Sequence, residues 1–386
     1  MNKKTQFVAK TLHGLEGVLA NELRAIGAEN VEEQRRMVNF TGTTEMLYRA
    51  NFQVRTATRI LLPIHTFKAK NEEELYSIAK KFDWTSIMDL SHKFAVDATV
   101  NSSIFTHSHF MALKLKDAIV DHFRDRFGKR PFVDPKNPQI QIHIHIAEQD
   151  CTILLDSSGE SLHKRGYRLH QDVAPLNEVL AAGLIMLSGW DGTTPFIDPL
   201  CGSGTLLIEA ALIAKGMAPG IFRKQFAFEN WLNFEKETFE KVFNDESYER
   251  DIDPIIIGGD ISRRAVDFAQ SNLKEAGIQK LISIEKQSIF DFFPPEGPGT
   301  VITNPPYGER LKKDQITTFY KQLGDTFKQR YQGYSVWVLS GNGEALKNFG
   351  LHASNPTTLF NGPIECKYQC YNIYSGSKKA KYQNKQ

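Results

Sequence analysis

The second half of the chain alternates short apolar strands with amphipathic helices, and this order constrains the fold more than any other feature. The apolar segments lie at 195–198, 255–258, 282–285, 301–303 and 335–339, and helical periodicity lies at 177–187, 205–214, 263–276 and 315–327. Strands of this kind are buried on both faces when helices cover a parallel sheet. We therefore predict an α/β fold with a doubly wound parallel sheet, followed by a terminal hairpin strand over 365–374.

The first half has a different, mixed α+β pattern. Strand alternation is predicted at 6–10, 37–41, 94–100, 140–146 and 151–155, and helices at 14–27, 46–52, 72–81 and 110–127. The last helix is predicted to bury one face lined by Leu113, Ile119, Val120, Phe123 and Phe127. His143 and His145 lie on one face of a strand; we interpret them as facing solvent or a ligand surface, since two imidazoles alone do not define a metal site.

Length and composition set the remaining bounds. A chain of 386 residues predicts two or three domains. The four cysteines show no metal-ligand spacing, so we expect reduced thiols, no metal and a cytoplasmic protein. No apolar run approaches the ~18 residues of a membrane span, and the N-terminus lacks the apolar core of a secretory signal. The net charge of +2 means that any nucleic-acid contact must use local basic patches.

A glycine-rich turn from Asp198 to Thr205 ends one strand and opens a helix. Gly202 and Gly204 let the backbone turn sharply and approach a ligand, and the helix N-terminus offers unpaired amides. Ser203 lacks the frame of a nucleophile elbow, and we interpret Cys201 as a packed thiol. A plain strand-to-helix turn would also explain this segment.

Two further acids follow neighbouring strands. Asp260 ends the strand 255–258, where a carboxylate can accept hydrogen bonds from a ribose diol. The usual interval from the glycine turn is about 20 residues, so the segment 216–254 is predicted to be an insertion. Asp291 follows the next strand and could bind an adenine amino group, although a turn aspartate is an equally good interpretation.

The most specific motif is Asn304-Pro305-Pro306-Tyr307, after the strand 301–303. The prolines fix the backbone and remove N–H donors, so the loop is rigid and lined with acceptors. The Asn304 side-chain oxygen and the Pro305 carbonyl can accept both hydrogens of one NH₂ group. Tyr307 offers a ring for stacking of an extruded base. Such a pocket orients an amine for in-line attack on a sulfonium methyl.

Together these motifs resemble the THUMP-domain RNA methyltransferase family, which is part of the class I S-adenosylmethionine-dependent methyltransferases. The resemblance covers nearly the whole chain and rests on 164–168, 174–178, 198–205, 304–310, 361–366 and the insertion around 218–229. It implies a Rossmann-like catalytic domain at 165–380, preceded by a ferredoxin-like unit at 1–60, a THUMP domain at 45–155 and a linker at 156–176.

The resemblance also implies roles for individual residues. It assigns the cofactor S-adenosylmethionine to Asn177, Glu178, Asp198, Cys201, Gly202, Ser203, Gly204, Thr205, Asp260, Asp291 and Asn304, and the acceptor pocket to Asn304, Pro305, Pro306 and Tyr307. It implies a structured RNA partner, with guanine N2 of large-subunit ribosomal RNA as the target and transfer RNA as the alternative. We expect RNA contacts from Lys114, Lys116, Arg124, Arg126, Lys129 and Arg130. The oligomeric state is left open.

Two other functions share these motifs. An Asn-Pro-Pro-Tyr loop also serves methylation of DNA adenine or of protein glutamine, but neither reaction needs an N-terminal RNA-binding module. A non-catalytic RNA-binding protein would not need the loop at all.

Overall fold

The computed structural model describes residues 4–170, 175–307, 313–354 and 356–374. Its contacts group the chain into one unit of Met1–Thr11, Leu19–Leu162 and Arg223–Asp245, and a second of Leu12–Val18, His163–Phe222 and Glu246–Gln386. The chain thus leaves the second unit after Phe222 and returns to it at Glu246. No helix within the described ranges is long and apolar enough to cross a membrane.

An eight-stranded sheet forms the centre of the first unit. Its strands are β1 (Thr5–Thr11), β2 (Glu29–Gln34), β3 (Met37–Gly42), β4 (Ala57–Lys68), β5 (Lys93–Asn101), β6 (Phe132–Val133), β7 (Ile140–Ala147) and β8 (Asp150–Asp156). The strands lie in the order β2-β3-β1-β4-β8-β7-β5-β6. β4 pairs with both β1 and β8, so it joins the N-terminal strands to the later ones.

Four helices accompany this part of the sequence, and all four were predicted. They are α1 (Glu16–Ala25), α2 (Thr44–Gln53), α3 (Glu72–Lys81) and α4 (Ser108–Phe127). The buried face of α4 differs from the prediction, however. Ile119, Val120 and Phe123 are buried as expected, but Leu113 and Phe127 are 40% and 46% exposed. The buried stripe is completed by Met111 and Leu115, which are better in phase with Ile119.

The segment Arg223–Asp245 contributes an aromatic cluster to the first unit. It contains α7 (Lys236–Phe243), and its rings pack against Tyr48 and Phe52 of α2. The ring centroids of Tyr48 and Phe228 are 4.5 Å apart, and Phe239 meets both in edge-to-face geometry. The middle of the predicted insertion therefore packs within the first unit, whereas residues 216–222 and 246–254 belong to the second.

A seven-stranded sheet forms the centre of the second unit. Its strands are β9 (Phe196–Asp198), β10 (Ile256–Asp260), β11 (Ile282–Lys286), β12 (Gly299–Thr303), β13 (Tyr334–Ser340), β14 (Thr357–Asn361) and β15 (Ile364–Asn372). The order is β11-β10-β9-β12-β13-β15-β14; β9 to β13 are parallel, and β15 is antiparallel to both of its neighbours. The predicted doubly wound α/β fold is confirmed.

Of the helices that accompany this sheet, the first four were predicted from the periodicity and the short fifth was not. They are α5 (Glu178–Ser188), α6 (Thr205–Lys215), α8 (Arg263–Glu275), α9 (Lys313–Arg330) and the short α10 (Gly343–Lys347). The direction in which the chain builds the sheet changes at β9: β10 and β11 lie on one side of it, and β12 and β13 lie on the other. In open α/β sheets, ligands bind at the carboxyl ends of strands at such a switch point. This places Asp198, Asp260 and Asn304 at the expected edge.

Candidate active site

Two backbone amides of the glycine-rich turn after β9 donate hydrogen bonds to the end of β10. Cys201 N–H donates to the Gly259 carbonyl (2.9 Å), and Gly202 N–H donates to Oδ2 of Asp260 (3.0 Å). Gly204 adopts φ of +83° as the residue before α6, a conformation that favours glycine. A Cβ at Gly202 would meet no atom within 4 Å, so the turn faces open space.

The two acids at this edge lie in different environments. Asp198 is 2% exposed, and its Oδ1 accepts from the Leu200 amide at 3.2 Å. Burial raises the pKa of Asp198 to about 7, and the nearby Asp260 carboxylate adds to the rise. Asp260 is partly exposed, with Oδ1 accepting from the Ser262 amide at 2.8 Å. A carboxylate has about four acceptor positions, so Asp260 can accept further donors.

An arginine that the sequence analysis left without a role connects the remaining predicted residues. Nε of Arg168 donates to Oε1 of Glu178 (2.7 Å), and Nη2 donates to Oγ1 of Thr205 (2.9 Å). Nη1 also lies 3.3 Å from Oγ of Ser203. All three partners are at least 90% buried. Arg168 therefore connects the start of α5 to the start of α6, and its contacts with Ser203 and Thr205 hold the glycine-rich turn in place.

Two amide side chains complete this framework. Asn177 accepts from the Val179 and Leu180 amides and so caps α5. Asn272, buried on α8, accepts from the Leu169 and His170 amides and donates to the carbonyls of His170 and Ser203. All four hydrogen-bonding positions of Asn272 are thereby used. An asparagine on the buried face of a helix was the only sequence signal for this role.

The side chains of the two remaining predicted acidic groups, the Cys201 thiol and the Asp291 carboxylate, differ in exposure. The Cys201 thiol is buried, and burial raises its pKa well above the ordinary range, which favours the packed thiol over a nucleophile. Asp291 lies exposed in the 3₁₀ turn Ile289–Asp291, which the Ser288 hydroxyl caps. Within the described ranges its carboxylate makes no hydrogen bond or ion pair.

The Asn304-Pro305-Pro306-Tyr307 loop leaves β12 beside the glycine-rich turn's strand. Pro305 is buried and Asn304 partly buried, and Oδ1 of Asn304 is buried without a hydrogen-bond partner among the described residues. A buried acceptor of this kind costs about 1–3 kcal/mol when nothing donates to it. A buried acceptor left unpaired in a native structure calls for an explanation, and a donor on a bound ligand is one. The continuation Gly308-Glu309-Arg310 of the predicted motif lies outside the described residues.

Contacts behind this loop hold its other residues in place. The Tyr320 hydroxyl hydrogen-bonds to Ser340 (2.7 Å) and lies 3.5 Å from the Pro306 carbonyl. The Tyr307 hydroxyl accepts from Nδ2 of Asn361 at 2.8 Å. The Tyr307 ring lies against Gly341, where any Cβ would come within 3.0 Å of it. The ring is thus partly buried and held in place by its neighbours.

No group of three or more His, Cys, Asp or Glu side chains within the described ranges is placed to hold a metal ion. His143 and His145, on β7, are partly buried; Nε2 of His143 lies 3.4 Å from Oδ2 of Asp156. The alternation on β7 is confirmed, with the isoleucines buried and the histidines on the opposite face.

Comparison with known proteins identifies the family to which this fold belongs. Family models match residues 6–61 ("RlmL ferredoxin-like domain"), 69–156 ("THUMP domain") and 165–370 ("RMKL-like, methyltransferase domain"). The fold and these matches define a Rossmann-like methyltransferase domain joined to a THUMP domain.

Individual relatives agree with this class. The chain is 38% identical to "Ribosomal RNA large subunit methyltransferase K/L" of Syntrophotalea carbinolica, over 97% of this chain and 54% of that protein. It is 38% identical to "Putative RNA methyltransferase slr0064" of Synechocystis sp., over 95% of this chain and 97% of that one. The crystal structure of "a putative methyltransferase complexed with SAH" superposes with a TM-score of 0.87 at 31% identity, over 98% of this chain and all of that one.

The chain belongs to the RMKL-like methyltransferase family. It spans about half the length of the K/L relative, whose name specifies large-subunit ribosomal RNA.

Proposed function

We propose that the chain transfers a methyl group from S-adenosylmethionine to an exocyclic amine of a base in structured RNA, with guanine N2 of large-subunit ribosomal RNA as the target. The observation that carries the proposal is the unpartnered, buried Oδ1 of Asn304 at the switch point of the sheet. It supplies an acceptor for an amine donor in a loop that two prolines hold rigid. The names of the relatives support the RNA substrate.

The residues at the carboxyl edge fit S-adenosylmethionine by the donors and acceptors they offer. The first amides of α6 have no side-chain cap and suit a carboxylate, and Gly202 leaves space in front of them. Asp260 retains acceptor positions for a ribose diol, and the exposed Asp291 carboxylate suits the adenine amino group. When bound, the cofactor supplies an electrophilic methyl group on a sulfonium centre.

The loop after β12 would hold the acceptor amine. We assign the two hydrogens of the amine to Oδ1 of Asn304 and the Pro305 carbonyl, which leaves the nitrogen lone pair directed away from both. The Tyr307 ring, already fixed by Asn361, would stack on the extruded base. Because these groups are positioned before the base arrives, they stabilise charge developing on the nitrogen without reorganising.

RNA binding is assigned to the first unit, which contains the THUMP match. Four of the six predicted cations have carboxylate partners: Lys114 pairs with Glu73, Lys116 with Asp117, Arg124 with Asp121 and Arg126 with Asp83. Lys129 and Arg130 have none in the described part of the chain and are exposed. We therefore expect these two to contribute most to phosphate binding, since no intramolecular ion pair must first be broken.

The test is transfer of label from S-adenosyl-[methyl-¹⁴C]methionine to unmodified large-subunit ribosomal RNA by the full chain, followed by mass spectrometry of the nucleosides. N2-methylguanosine is expected. N6-methyladenosine would retain the reaction class and change the acceptor, and label entering only transfer RNA would change the substrate. Absence of label in any RNA, with the cofactor bound, would overturn the proposal.

A further inference from the structure

A cavity near the C-terminal end of α4 lies entirely within the first unit and has no role in the site described above. Its volume is about 310 Å³, and its lining consists of Thr85, Met88, Asp89, Leu90, Ser91, Phe123 and Phe127. Phe123 and Met88 are fully buried, whereas the Phe127 ring is 46% exposed. The cavity thus has an apolar interior and one aromatic ring that is open to solvent.

Polar groups lie beside this apolar lining. Arg126 donates to Asp83 and to the Thr85 hydroxyl, both at 3.2 Å. Oδ1 of Asp89 accepts from the Ser91 hydroxyl and amide and lies 2.9 Å from Nδ1 of His92, and these contacts, Ser91 first, lower the pKa of Asp89. The other oxygen, Oδ2, has no partner among the described residues, so the exposed Asp89 can accept from a further donor.

The chain that follows α4 interleaves aromatic and basic side chains. Lys129 and Arg130 are exposed, and Phe132 is 64% exposed, with the ammonium group of Lys93 5.8 Å from its ring centroid. Lys93 also pairs with Asp134 at 3.5 Å, whereas Lys129 and Arg130 have no such partner in the described part of the chain. Exposed rings near cations are the combination with which proteins bind single-stranded nucleic acid: bases stack on the rings and phosphates contact the cations.

We propose that this cavity binds one unpaired nucleobase of the RNA, stacked on Phe127, with the adjoining phosphates on Lys129 and Arg130. The inference rests on the proposed RNA substrate and adds a base-binding site to it. A nucleobase is flat and apolar on its faces and polar at its edge, which matches an apolar interior with polar groups at the mouth. Asp89 would accept from an N–H donor on that edge. A stretch of peptide or a second copy of the chain would gain nothing specific from Lys129 and Arg130.

The experiment compares two fluorescein-labelled hairpin RNAs with identical stems, one with a 3′ tail of five adenosines and one with a tail of five abasic residues. Binding to the full chain is measured by anisotropy. Phe127→Ala should weaken binding of the adenosine-tailed hairpin by roughly 5- to 150-fold and leave the abasic-tailed one unchanged. Phe127→Trp should bind the adenosine-tailed hairpin with an affinity close to that of the wild type, because the indole ring also offers a stacking surface.

Phe110→Ala is the matched control. Phe110 lies on the same helix and is 44% exposed, and it has a cation, Lys114, 5.6 Å from its ring centroid, as Phe127 has Arg126 at 5.5 Å, but it does not line the cavity. It should change neither affinity. Equal affinities for Phe127→Ala and Phe110→Ala, or an equal loss with both tails, would overturn the base-binding site alone. A wild-type chain that binds neither hairpin at low salt would overturn the RNA substrate as well. A thermal melt of each variant excludes unfolding as the cause.

Discussion

Replacing Asn304 by alanine should separate cofactor binding from methyl transfer. The change removes a buried oxygen that has no partner among the described residues, and it leaves β12 and both prolines in place. In the proposed reaction, that oxygen holds one hydrogen of the acceptor amine. Without it, the amine is no longer fixed in line with the methyl group.

The magnitude follows from comparable polar contacts. Loss of one preorganised group that acts on the transition state lowers the rate by about 10²–10³-fold, or roughly 2.7–4 kcal/mol. Stability should behave differently. The unpartnered oxygen carries a desolvation cost of about 1–3 kcal/mol in the free protein, and its removal offsets the packing lost with the side chain. We therefore expect a melting temperature equal to or above that of the wild type.

Single-turnover transfer to unmodified ribosomal RNA measures the first effect, calorimetry with S-adenosylhomocysteine tests cofactor binding, and a thermal melt measures stability. Asn372→Ala is a suitable control, since Asn372 is an exposed asparagine at the end of β15. Transfer within about threefold of wild type by the Asn304→Ala chain would refute the acceptor assignment. A loss of transfer accompanied by an equal loss of cofactor affinity would move Asn304 from the acceptor pocket to the cofactor site.

Three further predictions concern the cofactor edge. Asp260→Ala should weaken cofactor binding by about 1.5–3 kcal/mol, and an unchanged affinity in calorimetry would remove Asp260 from the site. Arg168→Met should weaken cofactor binding at least tenfold, with partial recovery in Arg168→Lys, because Arg168 fixes the glycine-rich turn through Ser203 and Thr205; a lower melting temperature with normal affinity would show a purely structural role. Because the pKa of Asp198 is raised in the folded state, the native chain binds more protons than the unfolded chain between about pH 4 and pH 7, so the stability that this group contributes is lost as the pH rises through that range. Asp198→Asn does not titrate, so its melting temperature relative to that of the wild type should rise by several degrees from pH 5 to pH 8. A difference that stays constant with pH would contradict this.

The second unit could be predicted because the alternation of apolar strands and amphipathic helices in its sequence is also the order of elements in its fold. Most of the parallel strands contain a short apolar run that ends in a polar or small residue, and the predicted helix 263–276 matches Arg263–Glu275 to within one residue. The site residues could be named for the same reason. In a parallel sheet, side chains that follow neighbouring strands meet at one edge, so Asp198, Asp260 and Asn304 could be grouped without coordinates.

Features that depend on distant pairing could not be predicted in this way. β4 was missed altogether: Pro63 interrupts it, the register with β8 shifts between Pro63 and His65, and its partners lie both before and after it in sequence. Arg168 was missed because its function depends on hydrogen bonds to residues up to 37 positions away. A cation in a polar segment gives no sign of which acceptors it will meet.

The insertion shows why a motif can be located in sequence while its place in the fold cannot. Its aromatic residues were visible in the sequence, and nothing there distinguished packing on the second unit's sheet from packing elsewhere. The structure groups Arg223–Asp245 with the first unit, where Phe228 and Phe239 pack on Tyr48 and the Tyr48 hydroxyl accepts from the Glu235 amide at 3.0 Å. Because these rings are buried against α2, exposing them would cost the hydrophobic free energy of several aromatic side chains. The chain therefore leaves the second unit after α6 and returns to it before β10, and the segment between them completes the core of the first unit. Removing α2 would expose the aromatic rings of this segment to solvent.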